Sequence, residues 1–334
     1  MRDKLKDLGL NLPLFPTTSV GSFPKPEKLK KKRRQYLDGK ISKEDLEPLE
    51  EESTREWIKI QERIGLDVLV DGEMYRGDMA AYFARNLEGM EMGGLVRSYD
   101  NRYYRKPVIK GEVNWTEPIT VDYWKFSQNI TNKPVKGVIT GPYTMMDWTF
   151  NEHYSDREAT CLDLARELRN EVEALVNAGA KIIQIDEPAI SVRPDELPKF
   201  AEQSMNIVTK GLDAYFITHI CYGAFEFIYP EMLDLNVDNF DLEMSNSNLD
   251  LTSLFEEDPF TKDLSFGLVD VHSHVVEDAE TTNSRAERAL EVLSPEKLWF
   301  DPDCGLKTRT KEESIEKLKR VVSAAEYLRE ETNQ

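Results

Sequence analysis

Apolar and polar positions along the chain alternate between two patterns. Short apolar runs rich in β-branched and aromatic residues are separated by longer stretches with apolar residues at helical spacing. Eight runs read as strands: Thr17–Ser22, Leu66–Glu73, Val135–Gly141, Lys181–Pro188, Ala214–Tyr222, Asn239–Ser245, Ser265–Ser273 and Leu298–Gly305. Ser42–Ile64, Asp156–Ala178, Pro198–Lys210, Ser284–Leu293 and Lys311–Leu328 read as amphipathic helices among them. Ser42 ahead of Glu44 and Asp45, and Ser155 ahead of Glu158, are helix starts, while Asn177-Ala-Gly179 is a stop. Alternating strands and helices predict parallel pairing with right-handed crossovers. Eight such strands predict an α/β fold closed into a (β/α)8 TIM barrel, one domain over residues 1–334.

The interval from Met74 to Pro134 breaks this rhythm. Gly93-Gly94, then Tyr99–Glu112 and Ile119–Phe126, predict a hairpin inserted after the second strand, at about 74–134. In a barrel that insertion stands at the catalytic rim, where a lid or substrate wall is expected.

The run endings carry unusually reactive groups. Ser22 ends the first, Glu73 the second, Asp186 and Glu187 the fourth, and His219 with Cys221 the fifth. Glu243 ends the sixth, His272 the seventh and Cys304 the eighth, while the third leads into a loop carrying Trp148. Residues i and i+2 of a strand share a face, so the His219 imidazole and Cys221 thiol stand side by side. With Glu243 and Cys304 they make a set of one nitrogen, two sulfurs and one oxygen, which selects zinc over magnesium or calcium. Taken singly, His219 also fits a hydrogen-bonded core histidine and Cys304 a small buried hydrophobe. Their joint occurrence at strand ends argues for metal. Ligands spread over more than eighty residues of a large core suit a catalytic rather than a structural zinc. Cys161, in a helical stretch, is expected to pack in the core.

A zinc carrying two thiolates and a carboxylate is suited to binding a substrate thiol as its thiolate. A free thiol has a pKa of about 8.5 and is mostly protonated at neutral pH. Alkylation of a small thiol is the implied chemistry. A formal charge of −19, from 62 acidic and 43 basic residues, disfavours nucleic acid and anionic lipid as partners. The basic run Lys28–Arg34 reads as a solvated helix face. No apolar stretch is long enough to span a bilayer, and the first residues lead into no signal-like apolar segment. Three cysteines cannot form a paired framework, so a cytoplasmic location with reduced thiols is expected.

Several stretches resemble the catalytic half of cobalamin-independent methionine synthases. They are Thr17-Thr-Ser-Val-Gly-Ser22, Asp71-Gly-Glu73, Val135-Lys-Gly-Val-Ile-Thr-Gly-Pro142, Gln184-Ile-Asp-Glu-Pro-Ala189 and Thr218-His-Ile-Cys-Tyr222. Leu242-Glu-Met-Ser245, Asp270-Val-His-Ser273 and Asp301-Pro-Asp-Cys-Gly-Leu-Lys-Thr-Arg309 complete the set, and the last is the most specific together with Glu243. The resemblance implies a zinc-bearing (β/α)8 barrel and methyl transfer to homocysteine. By position, His219, Cys221, Glu243 and Cys304 match the zinc ligands. Ser22 with the Val20–Gly21 backbone matches the grip on the homocysteine carboxylate, and Glu73 and Asp186 match the groups that hold its ammonium. Trp148 matches the indole that faces the folate pterin, and Arg102 a basic residue near the same ligand. His272 matches the proton donor; by chemistry alone it also fits a partner that orients the metal ligands.

Longer family members carry an additional N-terminal half, and short members take methyl from other sources, corrinoid proteins included. The donor is therefore a methyltetrahydropterin or a methylcorrinoid on these grounds. A methylcorrinoid:coenzyme M or other small-thiol methyltransferase is a second reading, although coenzyme M has no ammonium for Glu73 and Asp186 to bind. A zinc-stabilised binding subunit without catalysis is a third.

Overall fold

The computed structural model describes residues 2–97, 103–221, 225–245, 253–255 and 258–332. Its strands are β1 (Glu88–Arg97), β2 (Tyr103–Asn114), β3 (Gly137–Thr140), β4 (Phe150–Asn151), β5 (Ile182–Asp186), β6 (Tyr215–Ile220), β7 (Asn239–Leu242), β8 (Asp263–Val269) and β9 (Leu298–Pro302). One sheet has the order β3-β5-β6-β7-β8-β9 and a smaller one the order β1-β2-β4. The α/β class and the largely parallel sheet agree with the pattern of the sequence. Chain contacts divide the protein into two compact units, residues 1–75 with 123–136 and 241–334, and residues 76–122 with 137–240.

In the first unit β8 and β9 pair in parallel, from Leu264 opposite Leu298 to Val269 opposite Pro302. Of the eight expected strands, the first two form single parallel bridges here, Thr17 to Phe300 and Leu69 to Val135. Pro16 and Pro134 have no N–H to donate, and Gly72 and Glu73 turn into the left-handed region with φ of 78° and 55°. A continuous ladder is interrupted on both counts. The Lys43–Ile64 helix begins at Ser42, whose N–H donates to the Asp45 carboxylate at 3.1 Å. Its buried Trp57 stacks on Phe23 with ring centroids 4.2 Å apart, which seats the helix under the chain that follows Ser22.

In the second unit β5 pairs in parallel with β3 on one side and β6 on the other. The Arg157–Ala178 helix buries Cys161, Leu164, Leu168, Val172 and Leu175 completely. It starts at Asp156, whose carboxylate accepts from Ala159 N at 2.8 Å, one residue beyond the expected Ser155. It ends at Gly179, where φ is 106°. Burial pushes the Cys161 thiol well above its ordinary pKa, in keeping with a packing role.

The inserted hairpin is present, with its arms placed differently. β1 and β2 pair antiparallel, and β2 also meets β4 in parallel at Val108 to Phe150. The stretch expected as its second arm, 119–126, instead enters the Val121–Gln128 helix. The fully buried Glu171 explains the difference. Its carboxylate accepts from Ile119 N, Thr120 N and the Thr120 hydroxyl at 2.7 Å each, and from Trp115 Nε1 at 2.8 Å. Those bonds hold the chain in a turn that feeds a helix, and they leave its N–H groups unavailable to a strand partner.

Glu171→Ala leaves these donors buried without an acceptor, and a loss of about 3 kcal/mol in unfolding free energy is expected. Urea denaturation measures it; a loss below about 1 kcal/mol would contradict the role given to Glu171.

Candidate metal centre and substrate site

The first unit brings together residues far apart in sequence around Ser22. A Cβ on Gly305 would lie 2.1 Å from Ser22 Oγ, and Leu306 N donates to Ser22 O at 2.8 Å. The residue after Cys304 therefore rests directly on the Ser22 hydroxyl. A Cβ on Gly21 would meet Glu73 Oε1 at 2.7 Å, so the Glu73 carboxylate lies against the backbone of the same loop. Glu73 reaches that place from a left-handed backbone, with its N–H held by Asp71 Oδ1 at 2.7 Å. Such strain in a non-glycine residue is characteristic of functional sites. A hydroxyl, backbone donors and a carboxylate side by side suit a ligand that carries both an acid and an amine.

Three strand exits of the same unit form a second cluster. Glu243 follows β7, His272 lies in the loop after β8, and Cys304 follows β9 by two residues. His272 Nε2 is 2.9 Å from Glu243 Oε1. The hydrogen bond to Glu243 raises the imidazole above its ordinary pKa, against partial desolvation. The loop is braced from beneath: His272 N donates to Asp270 Oδ1 at 2.7 Å, and Asp270 N to Glu277 Oε1 at 2.6 Å. The fully buried Lys317 ammonium then donates to Glu277 Oε2 at 2.9 Å and to Val275 O at 2.6 Å.

In the second unit the parallel register sets Asp186 opposite His219. Asp186 ends β5 and its Oδ1 accepts from Gln184 Nε2 at 2.7 Å. The next residue, Glu187, turns inward. Its carboxylate accepts from Tyr143 N at 3.0 Å and from Thr144 N and the Thr144 hydroxyl at 2.7 Å each, while its own N–H donates to His219 O at 2.9 Å. Glu187 thus ties the Pro142–Asp147 helix to the exits of β5 and β6. Burial pushes its carboxyl up to about 7, against the hydrogen bonds it accepts. Trp148 caps that short helix and is half-buried. Beyond it, β4 runs beside β2 of the inserted hairpin, and Lys106 Nζ sits 4.5 Å above the Phe150 ring. Arg102 lies outside the described residues.

The exit of β6 carries the His219 imidazole and, two residues on, the Cys221 thiol, both buried in the second unit, while Cys304 stands at the exit of β9 in the first. The imidazole and two thiols are a donor set that fits zinc. Glu243 Oε1 is engaged by His272 in the first unit. Asp303 had no place in the expectations drawn from sequence, although it directly precedes Cys304 and is fully buried. Only its position inside the Asp301–Arg309 stretch marked it. No helix among the described residues is long and apolar enough to cross a membrane.

The family described as "Cobalamin-independent synthase, Catalytic domain" matches residues 15–327. The chain is 36% identical over 321 residues to a methionine synthase of Saccharolobus solfataricus, covering 96% of each. It is 39% identical over 343 residues to a 5-methyltetrahydropteroyltriglutamate–homocysteine methyltransferase of Thermotoga petrophila, covering 99% of this chain and 47% of that one. It thus spans about half the length of that longer relative. Among solved structures it is similar to a B12-independent methionine synthase from Shewanella sp. W3-18-1 in complex with selenomethionine, with a TM-score of 0.85 at 26% identity over 96% of this chain and 99% of that one.

Glu187 makes a pH prediction. Its folded-state pKa, near 7, lies above the ordinary 4.5, so the folded chain binds the extra proton between those values. Its contribution to stability is present below pH 4.5 and is lost as pH rises through 7. Chemical denaturation of wild type and Glu187→Gln across this window is expected to show a steeper falling limb in the wild type, since Asp303 contributes a fall of the same sign to both; parallel curves would refute the assignment.

Proposed function

The chain belongs to the cobalamin-independent synthase family, whose catalytic domain it matches over residues 15–327, and on that premise we propose that it methylates homocysteine to methionine. The observation that carries the proposal is the make-up of the strand exits within each unit: Glu243, bonded to His272 at 2.9 Å, with Cys304 in the first, and His219 with Cys221 in the second. With Glu243 as a fourth and exchangeable ligand, His219, Cys221 and Cys304 would hold zinc. Bound there, zinc supplies the acidity that strips a substrate thiol of its proton and keeps it nucleophilic at neutral pH.

The remaining roles fall to the protein's own side chains. Ser22, with the backbone of Val20 and Gly21, receives the homocysteine carboxylate, and Glu73 and Asp186 receive its ammonium. The contact of Gly305 with Ser22 supports this, because it sets the carboxylate end of the pocket beside Cys304. Trp148 faces the flat ring of the methyl donor, at the end of a helix tied down by Glu187; Arg102 is assigned to the same ligand. His272 delivers a proton from Nε2 to the departing donor nitrogen. A closed (β/α)8 barrel, with the inserted hairpin as part of a lid, is the scaffold on this reading.

His272 also bears on the donor. A tertiary amine such as that of methyltetrahydrofolate leaves well only when protonated and so requires a general acid. A corrinoid departs without that proton. The longer relative is named for a methyltetrahydropteroyl donor, which favours the pterin. Coenzyme M, with no ammonium, leaves Glu73 and Asp186 without a function.

The test is methionine formation by zinc-loaded protein from homocysteine and methyltetrahydropteroyl glutamates, with coenzyme M and methylcobalamin as comparison substrates. Cys304→Ser is expected to lose both bound zinc and turnover with its far-UV spectrum unchanged; full zinc content with normal turnover would refute the ligand set. His272→Gln is expected to keep its zinc while kcat with the pterin donor falls by about 10²- to 10⁴-fold, the usual contribution of a general acid. An unchanged kcat would remove His272 from the mechanism.

A further inference from the structure

Asp303 is fully buried and spans the strand exits of the first unit. Its Oδ1 accepts from Met244 N at 3.1 Å and from Ser245 N at 2.9 Å, and the Ser245 hydroxyl donates to its Oδ2. Its own N–H donates to Val269 O, at the end of β8, at 3.1 Å. One side chain thus crosses from the exit of β9 to the exit of β7, passing over β8. The crossing depends on Gly267, where an added Cβ would stand 2.2 Å from Asp303 Oδ1. The atoms tied together in this way are each one residue from a proposed ligand, since Met244 follows Glu243 and Cys304 follows Asp303. Consecutive Cα atoms are about 3.8 Å apart, so such ties transmit position closely. Charge-assisted bonds in a buried setting are strong and directional.

We propose that Asp303 is a positioning residue that fixes the backbone carrying Glu243 relative to Cys304 at the spacing a shared metal ion requires. This role rests on the zinc site proposed above and adds a residue that touches neither metal nor substrate. Groups that orient metal ligands commonly contribute about 10- to 100-fold in metal affinity. A carboxylate serving only to hold a loop would lower the stability of the metal-free protein and leave metal affinity as it was.

The experiment compares zinc affinity, by competition with a chromophoric chelator, in the full-length wild type, Asp303→Asn and Ser245→Ala. Far-UV circular dichroism and metal-free thermal midpoints are measured alongside, and cobalt(II) is substituted for its thiolate charge-transfer and ligand-field absorption. Asp303→Asn is expected to bind zinc about 10- to 100-fold more weakly and to alter the cobalt spectrum at saturating metal. Ser245→Ala, which loses a single bond to Asp303, is expected to change both in the same direction by a smaller factor. A folded Asp303→Asn with wild-type affinity and spectrum overturns the role. If that variant fails to fold, Ser245→Ala decides, and wild-type values there overturn it equally. A wild-type chain that takes up no zinc sinks the zinc site itself, whereas normal wild-type binding with indifferent variants sinks only the role of Asp303.

Discussion

Backbone N–H groups that leave a β-ladder must find acceptors elsewhere, and in this protein buried carboxylates supply them. Glu171, Glu187 and Asp303 are each almost or wholly excluded from water. Each accepts two backbone N–H groups and a neighbouring hydroxyl from a segment remote in sequence. A carboxylate removed from water is costly unless such donors replace its hydration. The interaction therefore works in both directions: the loops need the acceptor, and the carboxylate needs the loops.

The consequence for chemistry is rigidity where parallel strands end. Strand exits are loops, and loops move unless their polar groups are satisfied. Glu187 holds the turn before Trp148 and bonds to the carbonyl of His219. Asp303 holds the turn after Glu243, and the Lys317 and Glu277 pair braces the loop that carries His272. Side chains at these exits thus rest on backbone that is tied down independently of any ligand. Preorganisation of this kind lets binding energy go into the reaction rather than into ordering the site.

The same exits concentrate negative charge. Asp186 and Glu243 are buried and Glu73 is half-buried, with Glu187 and Asp303 next to two of the candidate site residues. Desolvation raises the pKa of Glu187 and Asp303 to about 7, which lessens the mutual repulsion of neighbouring acids. The environment that remains favours cations, in keeping with a divalent metal and an amino-acid ammonium as the proposed ligands.

Much of this was legible in the order of residues alone. Apolar period and punctuation located the six strands of the larger sheet, as well as the helices that start near Ser42 and Asp156 and the stop at Gly179, because those features are decided within a few residues. The residue types at strand ends pointed to a thiolate metal site, because ligand chemistry is a property of the side chain itself. What local sequence does not contain is the partner of a buried acid. Glu171 lies some fifty positions from Ile119, and Asp303 nearly sixty from Ser245. Only folding brings each pair together. The tertiary structure therefore decided that the stretch after Trp115 enters a helix, that the first two runs meet their neighbours at single bridges, and that Asp303 bears on the site, since each depends on contacts between segments rather than on either segment's own preference.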